Sequence, residues 1–163
     1  MKLQSNTNKL RPKKSLGQNF IQDKNFIYKL SALIRSDQDT NIFEIGPGEG
    51  ALTDQLAKKK FKNLYLIEKD FLLFKKLEDR FKNDGNIFVF NSDALDYNYE
   101  LVNKNQKSLI VGNLPFNISS QLLVNWISNY NWPPFYSKMI LMFQKEVANR
   151  IIARHNQKSY SRI

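Results

Sequence analysis

The stretch "NIFEIGPGEGALTDQLAKK", residues 41–59, decides the fold. It opens with five residues of strand character, Asn41 to Ile45, and passes at once into glycines at 46, 48 and 50. From Ala51 onward the residues favour helix. A strand that runs through a glycine loop straight into a helix is the first unit of a doubly wound α/β sheet. Glycines at such a junction let the backbone turn tightly and approach a ligand with no Cβ in the way. The helix that follows points its N-terminus at that ligand. The spacing is G-x-G-x-G, not the G-x-G-x-x-G of dinucleotide dehydrogenases. Taken alone, it also suits a structural turn that binds nothing.

The same alternation extends in both directions. Upstream, "DKNFIYKLSALI" (Asp23 to Ile34) has apolar residues at 26, 27, 30, 33 and 34, which is helical spacing, with Asp23 placed as an N-cap. Downstream, Asn63 to Asp70 reads as a second strand ending in acid, Phe71 to Phe81 as a helix, and Asn86 to Leu95 as a third strand running into an acidic loop. "KSLIVGNLPF" (Lys107 to Phe116) is the fourth strand, Ser119 to Tyr130 a helix, Ser137 to Phe143 a fifth strand and Gln144 to Arg154 a last helix. Strands alternating with helices predict a mostly parallel sheet with helices on both faces, and a ligand outside the carboxyl ends of the strands. The unusual residues gather at those ends.

Glu68 closes the second strand, where an acid can accept hydrogen bonds from two ribose hydroxyls; an exposed charge at a strand end is the plainer reading. Asp93, after the third strand, can accept from an adenine amine, or cap a helix. Three glycines and two acids on successive strand ends describe a site for an adenosine-containing cofactor. "GNLPF" (Gly112 to Phe116) ends the fourth strand, beside the first across the point where strand order reverses. Asn113 offers a side-chain acceptor. The Leu114 carbonyl precedes Pro115, whose nitrogen carries no hydrogen, so the surface there is rich in acceptors. Phe116 offers a face on which a base can stack. Two acceptors and one ring suit an exocyclic amine on a planar base. Holding both hydrogens turns the nitrogen lone pair out of the ring plane and lets a poor nucleophile attack a nearby methyl group. No general base is needed first, because the methylated ammonium sheds its proton readily.

Composition bounds the alternatives. The chain has 163 residues, 42% hydrophobic and 25% charged, which suits one soluble domain. No apolar run approaches the ~18 residues of a membrane span, and no secretory signal is visible. With no cysteine and one histidine, disulfides and cysteine-built zinc sites are excluded and no metal site is expected; the lack of cysteine fits a cytoplasmic protein. The net charge of +10 favours a polyanionic partner. Half of it lies on Lys2, Lys9, Arg11, Lys13 and Lys14, so residues 1–14 read as a basic flexible arm, either a solubilising tail or a nucleic-acid contact.

The motifs "KKSLGQNF", "EIGPGEGALT", "IEKD", "NSDAL", "GNLPFNIS" and "FQKEVANRI" resemble, in order, those of the ribosomal RNA small-subunit adenine dimethyltransferases. The resemblance runs from about Lys13 to the last residue. It implies a Rossmann-like methyltransferase sheet, S-adenosylmethionine as cofactor, and dimethylation of N6 on two adjacent adenosines near the 3′ end of small-subunit rRNA. It implies further that Asn19 and the backbone at Ile21 touch the methionine end of the cofactor, with Gly46 and Gly48 against it. Glu68 takes the ribose, Asp93 the adenine and Asn113 the reacting region. Leu114, Pro115 and Phe116 complete the target-base pocket, although the family more often has Tyr where Phe116 stands. The implied setting is a cytoplasmic monomer acting on rRNA in a partly assembled subunit. Relative to the family, residues 15–163 are expected to form an incomplete methyltransferase domain, lacking its last strands and a C-terminal helical domain, with most of the cofactor site and an incomplete RNA surface; a fragment with little catalysis is the alternative. The competing readings are an RNA-binding assembly factor with little catalysis, the large-subunit rRNA dimethyltransferases, a DNA adenine methylase and a nucleotide-dependent oxidoreductase. Other residues take plainer roles: Trp126 in the core, Trp132 in loop packing, His155 at a helix end, Lys58 to Lys60 on a solvated helix end, and Arg150 with Arg154 on one face of the last helix.

Overall fold

The computed structural model describes residue 21 and residues 23–101, 107–128 and 133–161. The basic segment 1–14, Asn19 and Trp132 lie outside the described residues. Five strands, β1 (Asn41–Ile45), β2 (Leu64–Glu68), β3 (Ile87–Asn91), β4 (Ser108–Asn113) and β5 (Lys138–Met142), form one sheet in the order β3-β2-β1-β4-β5. Every pairing is parallel. The helices are α1 (Lys24–Leu33), α2 (Thr53–Leu56), α3 (Phe71–Phe81), α4 (Ser119–Ser128) and α5 (Lys145–Ile152). This is the doubly wound arrangement, with strand order reversing between β1 and β4.

The strands' period of two builds two cores. Ile42, Leu64, Leu66, Leu109 and Val111 face one side and pack with Ile27 and Leu30 of α1, Leu56 of α2 and Leu77 of α3. Phe43, Ile45, Tyr65, Ile67 and Ile110 face the other and pack with Leu122 and Trp126 of α4. β1 and β2 are buried at every position, which only a sheet covered on both faces allows. Each such Leu or Ile contributes about 1.5–3 kcal/mol over its exposed state.

The elements differ from the sequence expectation mostly at their ends. Asp23 caps α1 as expected, accepting from the Asn25 and Phe26 N–H groups. Phe26 and Leu33, however, face solvent; Ile27, Leu30 and Ile34 carry the buried face. α2 spans four residues rather than the run from Ala51, because Gly50 at φ +84° and the turn around Leu52 use up the first part of that stretch. Lys58 to Lys60 therefore sit in a turn, where the Lys59 N–H bonds the Leu56 carbonyl. β2 stops at Glu68 because the Asp70 side chain accepts from the Leu72 and Leu73 N–H groups and starts α3. α5 ends at Ile152, so Arg154 and His155 lie beyond it, and Arg150 pairs with Glu146 on the helix itself. Trp126 is buried.

Candidate active site

The carboxyl ends of β1, β2, β3 and β4 bring the singled-out residues to one rim of the sheet. The loop after β1 holds Gly46, Gly48 and Gly50 at φ +63°, +61° and +84°, a region that side chains other than glycine rarely adopt. The Gly46 N–H donates to the Ile67 carbonyl at 3.0 Å, and the Gly50 N–H to the Pro47 carbonyl at 2.9 Å. A Cβ built on Gly46 would stand 3.7 Å from Pro115 Cδ and 3.9 Å from the Asn113 carbonyl oxygen. The glycine loop and the Asn113–Phe116 segment are thus side by side, although far apart in the chain.

Glu68, at the end of β2, is 5% exposed, not a solvated strand end. Its Oε2 accepts from the Gly48 N–H at 3.0 Å and its Oε1 from the Asp70 N–H at 2.8 Å. Burial raises its pKa; the two N–H bonds oppose that rise and the nearby Asp70 charge adds to it. Each carboxylate oxygen has a second lone pair, so the group can hold the glycine loop and accept from a ligand together.

Asp93 follows β3. Its Oδ1 accepts from the Leu95 N–H at 3.0 Å and its Oδ2 from Lys69 Nζ at 2.6 Å. Partial burial pushes its pKa up, but Lys69 and the Leu95 N–H outweigh that, and the carboxyl lies below the ordinary value. A turn follows rather than an α-helix, so Asp93 closes a turn where a helix cap was the alternative. The side chain of Asn91 donates to the Glu68 and Lys69 carbonyls at 2.9 and 3.1 Å, which joins the ends of β2 and β3.

Asn113 is the last residue of β4 and is half-buried. Leu114 is 1% exposed and belongs to the core under α4, which explains an apolar residue in this loop: it anchors the segment. The Ile118 N–H donates to the Pro115 carbonyl at 3.1 Å and Ser119 Oγ to the Phe116 carbonyl at 3.3 Å, so the segment bends directly into α4. Phe116 remains 38% exposed, with ring surface left to the solvent side of the rim. Ile21 packs half-buried on the α1 side of the sheet.

Two residues here escaped the sequence reading. Glu44 is 2% exposed in the middle of β1 and accepts from Thr53 Oγ1 at 2.8 Å. Burial pushes its pKa up to about 8, the Thr53 bond opposes this, and the charges of Asp54 and Glu68 reinforce it. The signal was an acid inside an otherwise apolar strand. Gly112 is in register with Ile45 across the β1–β4 pair, and a Cβ there would meet the Ile45 carbonyl oxygen at 2.6 Å. That requirement comes from a partner strand and leaves no local mark.

A family profile described as ribosomal RNA adenine dimethylase matches residues 9–163. Over 157 residues the chain is 41% identical to ribosomal RNA small subunit methyltransferase A of Nitrobacter winogradskyi, covering 94% of this chain and 54% of that protein. The protein of the same name in Pelagibacter ubique is 41% identical over 154 residues, covering 94% and 57%. The chain thus spans about half the length of the curated relatives it matches. Among solved structures, a dimethyladenosine transferase from Plasmodium falciparum superposes with a TM-score of 0.74 at 26% identity, over 88% of this chain and 50% of that one. The 23S rRNA methyltransferase ErmE gives 0.69 at 26%, over 81% and 50%. A match across nearly the whole chain, on a sheet whose strand ends carry the family's motifs, settles its kinship: the chain belongs to the ribosomal RNA adenine dimethylase family.

Proposed function

We propose that this chain binds S-adenosylmethionine and carries the catalytic residues for dimethylating N6 of two adjacent adenosines near the 3′ end of small-subunit rRNA. The observation that carries the reading is the approach of the glycine loop to the Asn113–Phe116 segment, where a Cβ on Gly46 would stand 3.7 Å from Pro115 Cδ. It supports a cofactor cradle lying beside an acceptor-rich, aromatic base pocket. The bound cofactor supplies an electrophilic methyl group on a sulfonium. Glu68 accepts from the ribose hydroxyls with the lone pairs that Gly48 and Asp70 leave, and Asp93 accepts from the adenine amine. Gly46 and Gly48 let the backbone close on the cofactor, with Asn19 and the Ile21 backbone at its methionine end.

On the other side of the methyl group, Asn113 Oδ1 and the Leu114 carbonyl accept the two N6 hydrogens of the target adenosine. That frees the nitrogen lone pair from the ring. Phe116 stacks on the base and Pro115 closes the pocket. The ammonium formed loses its proton to water. The net charge of +10 fits an RNA partner. Small-subunit rRNA is favoured by the 41% identity to ribosomal RNA small subunit methyltransferase A of two organisms. The setting is a monomer in the cytoplasm, working on a partly assembled subunit, with residues 1–14 as an RNA-binding arm ahead of the methyltransferase domain. Among the described residues no helix is long and apolar enough to cross a membrane.

The test is methyl transfer from labelled S-adenosylmethionine to unmodified small-subunit particles, with 23S rRNA as control and nucleoside analysis of the product. N6,N6-dimethyladenosine in the small-subunit rRNA is expected. Phe116→Ala should keep cofactor binding and lower turnover about tenfold to a hundredfold through lost stacking. A folded chain that binds RNA but no S-adenosylmethionine would overturn the reading and leave an assembly factor.

A further inference from the structure

Arg80 stands near the end of α3 and reaches the glycine loop at Glu49, where Glu68 reaches it at Gly48, and the proposed function does not use it. Its Nη2 donates to the Glu49 carbonyl at 2.9 Å, and its Nη1 donates to Asp54 Oδ1 at 3.0 Å. One guanidinium therefore ties the glycine loop to the start of α2. The fit is close. A Cβ on Gly50 would come within 2.7 Å of Arg80 Nη1 and 3.0 Å of Leu77 Cδ2. Glycine at 50 suits the φ of +84° and leaves the guanidinium the room it occupies, which a side chain there would displace. The group also lies over the Phe81 ring, 5.7 Å from its centroid, which fixes the stem.

The loop needs such a hold. Three glycines at positive φ have many other conformations open to them, and ordering them costs more entropy than ordering other residues. α2 has only four residues, too short to anchor the loop by its own ladder. Glu68 holds the loop through the Gly48 N–H, and Arg80 holds it at the next residue through the Glu49 carbonyl.

We infer that Arg80 is a positioning residue for the cofactor site: it clamps the glycine loop through the Glu49 carbonyl and so sets cofactor affinity without touching the cofactor. The inference deepens the S-adenosylmethionine reading and rests on it for the ligand, but the clamp itself can be read without any ligand. A planar fork is required, since the Glu49 carbonyl and the Asp54 carboxylate are held at once. A lysine offers one compact head and cannot reproduce it.

The experiment pairs hydrogen exchange of the chain alone with calorimetric titration by S-adenosylmethionine, on wild type, Arg80→Ala, Arg80→Lys and Asp54→Asn. Arg80→Ala should speed amide exchange at Gly48 to Ala51 and weaken cofactor binding about tenfold, the scale of one charge-assisted hydrogen bond lost. Arg80→Lys should behave like the alanine variant. Asp54→Asn leaves the Glu49 bond and an acceptor for the other arm, and should stay within about threefold of wild type. Millimolar methylguanidine should restore part of the affinity of Arg80→Ala, which a generally destabilised protein would not show. Unchanged exchange in Arg80→Ala overturns the clamp, and so does weaker binding that comes only with a large fall in melting temperature and no rescue. If wild type itself fails to bind, the cofactor reading falls, and the exchange data still decide the clamp.

Discussion

Replacing Glu44 with glutamine should flatten the dependence of stability on pH. The carboxyl is buried in the centre of the sheet, and its pKa is pushed up from 4.5 to about 8. Between those values the folded chain keeps a proton that the unfolded chain gives up. Stability from this group is therefore complete below about pH 4.5 and is lost as pH rises toward about 8. Each pH unit inside the window costs about 1.4 kcal/mol, so raising the pH from about 5 to about 7 should cost roughly 2.5 kcal/mol. For a domain of this size that is a fall of roughly 5–10 °C in melting temperature. Glu68, whose pKa is also raised by burial, adds a loss of the same sign, so wild type alone does not isolate Glu44. Glu44→Gln does. The amide does not ionise, and its carbonyl can still accept from Thr53 Oγ1. The variant pays a fixed cost for its buried amide hydrogens, so it should be the less stable protein at pH 5 and gain roughly 2.5 kcal/mol on wild type by pH 7. Thermal unfolding followed by circular dichroism, at several pH values without ligand, reads this directly. Parallel curves for the two proteins would mean that Glu44 is already ionised in the fold, and the reasoning from burial would be wrong.

Two further substitutions test the packing of the rim. Gly112→Ala forces a methyl against the backbone carbonyl oxygen of Ile45 and should cost about 1–3 kcal/mol in urea unfolding; a loss below about 0.5 kcal/mol would show that β4 can move away from β1 freely. The Tyr97 hydroxyl is buried without a hydrogen-bond partner among the described residues, and burial pushes its pKa up to about 12. Tyr97→Phe should therefore match or exceed wild-type stability by about 1 kcal/mol, and a shift of the urea midpoint in the other direction would reveal a partner for that hydroxyl.

The sheet was legible because its evidence is local. Five apolar runs of strand length, each followed by a helical period, specify parallel strands and crossover helices, and Asp23 announces its own cap. The ends were less legible because competing local bonds decide them. Asp70 looks like the end of an acidic strand until its side chain is seen to take the first N–H groups of α3. "ALTDQLAKK" has the composition of a helix, yet the left-handed Gly50 and the turn feeding β2 leave it a single turn. Within the candidate site, glycines, acids and the proline segment stood out by type and position. Glu44, Gly112 and Arg80 did not. Glu44 is one letter in a strand, Gly112 answers to the Ile45 carbonyl across a strand pair, and Arg80 looks like any charge on a helix until its fork reaches Glu49 and Asp54 in another part of the chain.

The strand order also sets a timetable for synthesis. β2 adds beside β1 and β3 beside β2, but the opposite flank of β1 is filled by β4, with Asn41 paired to Ser108 and Ile45 to Gly112. On the ribosome, at about 5–20 residues per second, that flank stays open for several seconds after β1 has emerged. A nascent chain in this interval has its glycine loop and Glu68 but not the Pro115 wall beside Gly46. β4 can close that flank only after Asn113 has left the exit tunnel. Until then that edge of β1 has no strand beside it, and a pause placed between residues 91 and 108 would lengthen the interval.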